Sequence, residues 1–289
     1  MIGLILRSVS GFYYVEDDSG TITECKARGS FRSNGISPKV GDRVEFSFTN
    51  EDKGVIEEIK ERKNELTRPP ISNIDSLYIV ISTVAPMPNF QQIDELTVIA
   101  EREGIEPVII ISKNDLQDSP EIAQIYAQAG FKVFDAINDS EKIKASMAGK
   151  ISAFAGNTGA GKSTLLNRIY SEANLKTGEI SKKLGRGRHT TRVVELYRLD
   201  NGGYIADTPG FTTAQTEKYI SVYKDDLPDC FRDFSEYKYG CRFIGCSHTG
   251  EKGCAVIEAL NNGKIARSRY KSYVEIYNRI KSVQKWQIK

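Results

Sequence analysis

Gly156-Asn157-Thr158-Gly159-Ala160-Gly161-Lys162-Ser163, followed by Thr164, fits the pattern G-x-x-x-x-G-K-[ST]. Such a loop cradles phosphate. Its glycines let the backbone turn tightly, so that consecutive N–H groups and the positive end of the next helix face the phosphate oxygens. Lys162 is placed to neutralise the β and γ phosphates during catalysis, and Ser163 to offer its hydroxyl to a bridging Mg²⁺. The pattern carries weight because the residues around it predict a strand over Ile151–Ala155 and an apolar helix over Thr164–Tyr170.

Two further motifs extend this chemistry. Asp207-Thr208-Pro209-Gly210 follows a predicted strand at Gly203–Ala206, which puts a carboxylate at a strand's C-terminal end, where open α/β sheets bind ligands. Asp207 is expected to hold the magnesium through water, and Gly210 to bring its N–H near the γ-phosphate. Ser112-Lys113-Asn114-Asp115 closes a predicted strand at Pro107–Ile111 and resembles the guanine-reading pattern [NT]-K-x-D, with Ser112 departing from the usual Asn or Thr. A carboxylate at Asp115 accepts hydrogen bonds from guanine N1–H and the 2-amino group, neither of which adenine presents. The Lys113 stem can lie along the base plane. A buried acceptor that loses its donors rejects the analogue lacking them.

The motif order is unusual. Ordinary GTPases run from phosphate loop to magnesium Asp to base reader, whereas here Lys113 and Asp115 precede Gly156, and Asp207 comes last. This predicts a circularly permuted domain, which a parallel sheet tolerates because domain termini tend to lie close together. Between the phosphate loop and Asp207 runs Gly185-Arg186-Gly187-Arg188-His189-Thr190-Thr191, a segment suited to ordering around a γ-phosphate. Thr190 or Thr191 can reach the Mg²⁺, with Thr191 favoured. Lys176, Lys182, Lys183, Arg186, Arg188 and Arg192 outnumber Glu179 in that stretch by five charges, which suits phosphate contact or a merely solvated loop. Phe211 stands where related enzymes use a glutamine to orient water. Slow intrinsic hydrolysis follows, with His189 either positioning the water or contacting a partner.

Cys241, Cys246, His248 and Cys254 supply three thiolates and one imidazole within fourteen residues, a closed tetrahedral set for one structural Zn²⁺. Cys25 and Cys230 are left as packing residues. Lys or Arg at 264, 267, 269, 271, 279, 281, 285 and 289 outnumber Glu275 by seven charges. Tyr273, Ile276, Tyr277 and Ile280 repeat at helical spacing, so that an apolar face docks while a basic face looks outward toward RNA or solvent.

The elements that position these residues fall into three predicted units. Five β-prone runs (Ile2–Val9, Phe12–Glu16, Thr21–Ala27, Asp42–Phe48 and Val55–Ile59) suggest a small closed barrel such as an OB-fold over 1–65. From Arg68-Pro69-Pro70, strands alternate with amphipathic helices, the mark of a mostly parallel α/β sheet, over 66–214. Expected there are strands at Leu77–Ser82, Pro107–Ser112 and Phe131–Phe134. Between them lie helices at Asn89–Glu103, buried through Phe90, Ile93, Leu96 and Ile99, and from Ser119, buried through Ile122, Ile125 and Tyr126. A helical zinc-binding unit with a basic last helix fills 215–289.

Composition bounds the remaining classes. With 39% hydrophobic and 27% charged residues the chain can bury a core, which excludes disordered and fibrous classes. Forty Lys plus Arg against 38 Asp plus Glu leave a charge of only +2, so nucleic acid must be met by local patches. No apolar stretch approaches the roughly 18 residues of a membrane span, and Met1–Leu6 is too short for a signal h-region. No membrane association, a cytoplasmic location and a monomer are expected.

Taken together, the five-strand start, Ser112–Asp115 ahead of Gly156–Ser163, the Gly185–Thr191 loop, Asp207–Gly210 and the Cys/His set resemble the permuted, small-ribosomal-subunit-dependent GTPases called RsgA, YjeQ or YloQ. The resemblance implies an RNA-binding OB-fold, a permuted P-loop GTPase domain and a zinc domain. It further implies late maturation of the small subunit through contact with its rRNA, GTP hydrolysis stimulated by the subunit, and release governed by GTP or GDP. A Ser-Ala pair for a second guanine contact is missing near Phe134–Asn138. Other classes consistent with the residues are an ATP-dependent phosphotransferase and an RNA-binding protein whose purine site switches without turnover.

Overall fold

The computed structural model describes residues 1–29, 31, 35–50, 53–67, 69–171, 194–207 and 222–283, with only the backbone at Asn50, Ser171 and Asp207. They fold into two compact units, each built from separated stretches of chain. The first comprises Met1–Leu77, Glu141–Phe154 and Leu166–Phe211, and the second Tyr78–Ser140, Ala155–Leu165 and Thr212–Lys289.

In the first unit, strands β1 (Ile2–Val9), β2 (Phe12–Asp17), β3 (Ile22–Ala27), β4 (Arg43–Asn50) and β5 (Lys53–Ile59) close a barrel in the order 1-2-3-5-4-1. All pairs are antiparallel except β3 with β5, and β1 closes the ring on β4 through Gly3 opposite Val44. This is the expected five-strand barrel. Its core is Leu4, Ile5, Leu6, Val15, Cys25, Val44, Phe46 and Ile56. Inward-facing side chains fill a small closed barrel, and on β1 the consecutive residues Leu4, Ile5 and Leu6 are all buried where the register with β2 shifts. Gly3 is required there: a Cβ would lie 2.5 Å from Val15 Cγ1. Beyond the barrel come a two-stranded ribbon, β6 (Glu65–Leu66) with β7 (Ile71–Ser72), and the start of β8 (Ser76–Ser82). Buried Asp42 holds the ribbon, taking Arg62 Nε and Nη2 at 2.7 Å each and Ser72 Oγ at 2.6 Å.

The same unit holds β11 (Ile151–Ala155), β12 (Glu195–Arg198) and β13 (Tyr204–Asp207). Strands β11 and β13 are parallel, and β12 runs antiparallel to β13 with Glu195 opposite Asp207. The β12 strand is absent from the sequence reading, because four residues carry too little alternation to register. Its outer edge pairs with barrel strand β1 through Arg7 opposite Glu195. A carboxylate clamp reinforces that join: Tyr204 Oη donates to buried Glu16 at 2.6 Å and Arg198 Nη1 at 3.1 Å. Burial and that bond push the Tyr204 hydroxyl up to about 12.

In the second unit, β8, β9 (Glu106–Ser112) and β10 (Lys132–Asp135) lie in the order β10-β9-β8, with β9 and β10 parallel. Helix α1 (Phe90–Arg102) follows β8, capped by Asn89 accepting from Gln92 N at 3.2 Å. Helix α2 (Pro120–Gln128) follows β9, and α3 (Ser140–Ser146) follows β10. The P-loop leads into α4 (Lys162–Ser171). Ile93, Leu96 and Ile99 are buried on α1 as expected, but so are Asp94, Glu95, Thr97 and Val98 on the face expected to meet water. The C-terminal segment covers that face. Its helices are α5 (Ala255–Asn261) and α6 (Arg267–Ile280), joined to two 3₁₀ turns at Leu227–Cys230 and Arg232–Phe234. Phe231, Phe234, Val256, Tyr273 and Ile276 form the core they share with Val98.

Part of the positive charge counted on the last helix is taken up by carboxylates, while Lys264, Arg267, Lys271 and Lys281 stay exposed. Arg269 is fully buried and bonds to Asp94 on α1 at 2.7 Å and to Asp233 at 2.9 Å, while Arg279 pairs with Glu95 at 2.8 Å. Lys285 and Lys289 lie outside the described residues. Counting charges along a helix cannot tell a solvated cation from one spent on a buried carboxylate, and here Asp94 lies 175 residues and Asp233 36 residues away from Arg269 in sequence. Among the described residues no helix is long and apolar enough to cross a membrane.

Candidate functional site

The phosphate loop begins where β11 ends. Gly156 is buried with φ +136°, and a Cβ there would lie 2.4 Å from Val80 O, so the backbone passes directly over β8. Thr158 and Gly159 are exposed, Ala160 is buried, and α4 starts at Lys162 with Leu165 N donating to Gly161 O at 2.9 Å. The N–H groups of that first turn have no helical acceptor and point at the loop's mouth. Lys162 Nζ folds back onto its own loop, donating to Gly156 O at 2.6 Å and Asn157 O at 2.8 Å. Burial holds its ammonium down at about 8. An anion in the loop would relieve that cost. Ser163 and Thr164 are exposed, and no hydrogen bond of the described residues engages the Ser163 hydroxyl.

Ser112 sits at the end of β9, buried, with its Oγ 2.6 Å from Ala160 O and 3.2 Å from Ile81 O. One hydroxyl proton serves one strong bond, and the shorter links the loop at Ser112–Asp115 to the loop at Gly156–Ser163. The hydroxyl of Ser112 thus links the two loops directly. Lys113 adopts φ +63°, which turns the chain away from the strand, and its Nζ donates to Ala85 O at 2.5 Å. Thr83 bonds Lys113 O through Oγ1 at 2.9 Å. Asn114 Nδ2 donates to Asp135 Oδ2 at 2.7 Å. Asp115 is exposed, and no described residue forms a hydrogen bond or ion pair with its carboxylate. An acceptor left open beside a lysine stem can take two donors from one base edge.

Two parts of this site escaped the sequence reading. Residues 83–86 after β8 carry Thr83 and Ala85 as supports for Lys113. The loop after β10 lacks a Ser-Ala pair yet is tied down: Asp135 Oδ1 accepts from Ile137 N at 2.8 Å and Asn138 N at 2.7 Å, and its other oxygen holds Asn114. Neither has a signature, since Ala85 contributes only a carbonyl and a single Thr or Asp after a strand is common in any loop. His189, Thr190, Thr191, Gly210 and Phe211 lie outside the described residues, as does the Asp207 side chain. The Asp207 backbone ends β13 opposite Glu195.

Cys241, Cys246, His248 and Cys254 bring four ligand atoms within 4.8 Å of one another. Cys241 Sγ lies 3.8 Å from Cys254 Sγ, and His248 Nδ1 lies 3.4 Å from each of those sulfurs. A tetrahedron with bonds of about 2.3 Å to sulfur and 2.0–2.1 Å to nitrogen has edges of roughly 3.8 and 3.5 Å. The three edges among Cys241, His248 and Cys254 match it, and with Cys246 the four residues could hold a metal ion. The loop is locked from outside. Tyr273 Oη donates to Ser247 O at 2.7 Å, Tyr270 Oη to His248 O at 2.9 Å, and Ala255 N to Cys241 Sγ at 3.3 Å. Glu251 accepts from Ser247 N at 2.7 Å and Thr249 N at 3.0 Å. Burial works to raise its carboxyl, but hydrogen bonds from Ser247 and the loop N–H groups prevail and hold it at about 2.

These two sites accord with comparisons to known proteins. The chain matches the family model of the RsgA GTPase over residues 59–217 and that of the RsgA N-terminal domain over residues 2–56. It is 45% identical to the small ribosomal subunit biogenesis GTPase RsgA of Caldanaerobacter subterraneus, over 98% of this chain and 97% of that one. The Streptococcus pneumoniae protein of the same name is 43% identical over 98% of this chain and 95% of its own. Among solved structures, YjeQ from Thermotoga maritima aligns with a TM-score of 0.81 and 32% identity over 98% of this chain and 99% of that one. YloQ, described as a circularly permuted GTPase, gives 0.80 and 34% over 98% and 96%. By full-length identity, by motif order and by fold, the chain belongs to the RsgA family of circularly permuted GTPases.

Proposed function

We propose that the chain hydrolyses GTP as a late maturation factor of the small ribosomal subunit, that the subunit and its rRNA stimulate this turnover, and that nucleotide state times release. The observation that carries this reading is the 2.6 Å bond from Ser112 to Ala160. It ties the guanine-type loop to the phosphate loop within one compact unit, so that Asp115 and Lys162 address one nucleotide. In this reading Ser112, Lys113, Asn114 and Asp115 select guanine. Gly156 through Thr164 wrap the phosphates, with Lys162 leaving its loop carbonyls for the β and γ oxygens. Ser163, Asp207 and Thr191 are the residues that would hold Mg²⁺, which neutralises charge developing on the phosphates. The exposed, uncommitted Ser163 hydroxyl supports this. His189 positions water or meets the partner, and Gly210 senses the γ-phosphate.

The division of labour follows 1–65 as an RNA-binding barrel, 66–214 as the GTPase and 215–289 as a zinc domain. Zinc is the ion proposed for Cys241, Cys246, His248 and Cys254, because three thiolates with one imidazole suit it and four protein ligands leave no position for water. The protein is placed in the cytoplasm, as a monomer. GTP turnover with and without purified small subunits tests the proposal. Stimulation by orders of magnitude is expected, because charge stabilisation supplied in trans is worth about 10³ to 10⁵ in such enzymes. Equal turnover in both, or hydrolysis of ATP as fast as GTP, would refute it.

A further inference from the structure

The cation inventory of the C-terminal segment does not follow its helix. On α6, Arg269 and Arg279 are consumed by buried carboxylates and Lys271 pairs with Glu275, which leaves Arg267 exposed and outside any ion pair of the described residues. Arg232 is held by Glu101 and Glu106, and Lys238 by Asp229. Arg242 and Lys252, in contrast, are exposed and form no ion pair with any described residue. They are neighbours: Arg242 N donates to Gly253 O at 2.9 Å, and a Cβ on Gly253 would touch Arg242 Cβ at 3.1 Å.

Close to these cations in sequence stand three exposed large apolar side chains. Ile244 is 107% exposed, Tyr239 85% and Phe243 52%. The Arg242 guanidinium lies 5.5 Å from the centre of the Phe243 ring, and Lys238 Nζ lies 5.0 Å from that of Tyr239. Phe243 and Ile244 ride on a loop whose two ends, Cys241 and Cys246, are both candidate metal ligands, so their presentation costs little ordering on binding. Single exposed apolar side chains are common, but a ring and a branched chain adjacent on one loop beside cations form a patch of the kind that marks an interaction site.

We propose that the Cys241–Cys246 loop is a docking point for unpaired nucleobases of RNA, with Phe243 and Tyr239 as stacking faces, Ile244 as a wedge, and Arg242 and Lys252 on the adjoining phosphates. RNA fits better than a protein pocket because the apolar groups are interleaved with uncommitted cations, the combination that a base stack on a phosphate chain requires. The α6 helix and its ends keep Lys264, Arg267 and Lys281 exposed and outside any ion pair of the described residues, but no exposed aromatic ring stands among them. The inference rests on the reading of the chain as an RNA-directed GTPase and names a surface that such a reading leaves unassigned.

The test uses the full chain with metal content verified by mass spectrometry, a fluorescein-labelled single-stranded oligouridylate, a blunt RNA duplex and purified small subunits. Phe243→Ala should weaken binding of the single strand about tenfold or more, the scale of one lost stack, and Phe243→Trp should restore it. Duplex binding should barely change. Arg242→Gln with Lys252→Gln should lower the salt dependence of single-strand binding by about 1.4 in log–log slope, at about 0.7 per phosphate. Basal GTP hydrolysis stays at the wild-type value in all variants. Unchanged single-strand affinity in Phe243→Ala overturns the proposal. A loss seen with subunits but not with the oligonucleotide overturns it too, by pointing to a ribosomal protein. Failure of the broader reading shows separately, as wild-type turnover that subunits do not stimulate.

Discussion

Replacing Arg269 by Met removes one guanidinium and strands two carboxylates. Arg269 is fully buried, its Nη1 donating to Asp94 Oδ1 at 2.7 Å and its Nη2 to Asp233 Oδ1 at 2.9 Å, with Nε 3.4 Å from Asp233 Oδ2. Its carbon lies 4.8 Å from the Phe231 ring centre and 5.1 Å from that of Phe131. Water cannot take its place. Breaking a buried pair from one side costs about 3–5 kcal/mol, because an uncompensated charge is left behind. For a unit of this size the loss corresponds to a fall of about 6–20 °C in melting temperature.

The pH dependence distinguishes this from a simple packing defect. Burial already raises the Asp94 carboxyl above its ordinary 3.8, against the pull of Arg269, and removing the arginine raises it further. A carboxyl whose folded value exceeds its unfolded one binds its proton more tightly in the folded state. Stability is then lost as pH rises from the unfolded value through the folded one. The deficit of Arg269→Met relative to wild type should be smallest near pH 4, about the ordinary carboxylate value, and grow toward neutrality. Urea midpoints measured across that range provide the assay. Adding Asp94→Asn and Asp233→Asn should recover much of the loss. A deficit below about 1 kcal/mol at neutral pH, or one that does not shrink on acidification, would refute the charge argument.

Three other outcomes follow from the sites. Gly156→Ala should abolish nucleotide binding by calorimetry while leaving metal content intact, since its Cβ would meet Val80 O at 2.4 Å in a φ region that alanine avoids. Asp115→Asn should weaken GTP by about 1.5–3 kcal/mol, the range for hydrogen bonds to charged groups, with little effect on triphosphate-only contacts; equal GTP affinity would remove Asp115 from the site. Chelating the metal should expose the amides of residues 241–254 to hydrogen exchange while leaving barrel strand amides protected, and uniform protection after chelation would show that the metal is not structural.

The site was legible in the sequence where side-chain identity itself does the chemistry. Gly156 through Ser163, Asp115 and the Cys/His set each require particular residue types at fixed spacing, and no packing argument produces the same pattern. The barrel strands were legible because short β-prone runs such as Ile2–Val9 are set off by turn residues such as Ser10-Gly11. What stayed hidden acts through backbone or through long-range pairing. Ala85 contributes only a carbonyl, and Asp135 mostly caps its own loop. Asp94 and Glu95 look like the wet side of an amphipathic helix until α6 arrives to bury them.

The permuted order disturbs none of this because each motif depends on the end of its own strand. Ser112 ends β9, Gly156 follows β11 and Asp207 ends β13. Shuffling the connections changes instead what each strand is fastened to. In this chain β12, which pairs with β13, is also hydrogen-bonded to barrel strand β1, and Glu16 on β2 grips both Arg198 and Tyr204. The strand that delivers Asp207 is therefore built into the same sheet as the barrel. A load on the barrel meets no flexible linker before reaching β13: it passes through the Arg7–Glu195 pairing and a 2.6 Å bond to a tyrosine three residues from Asp207.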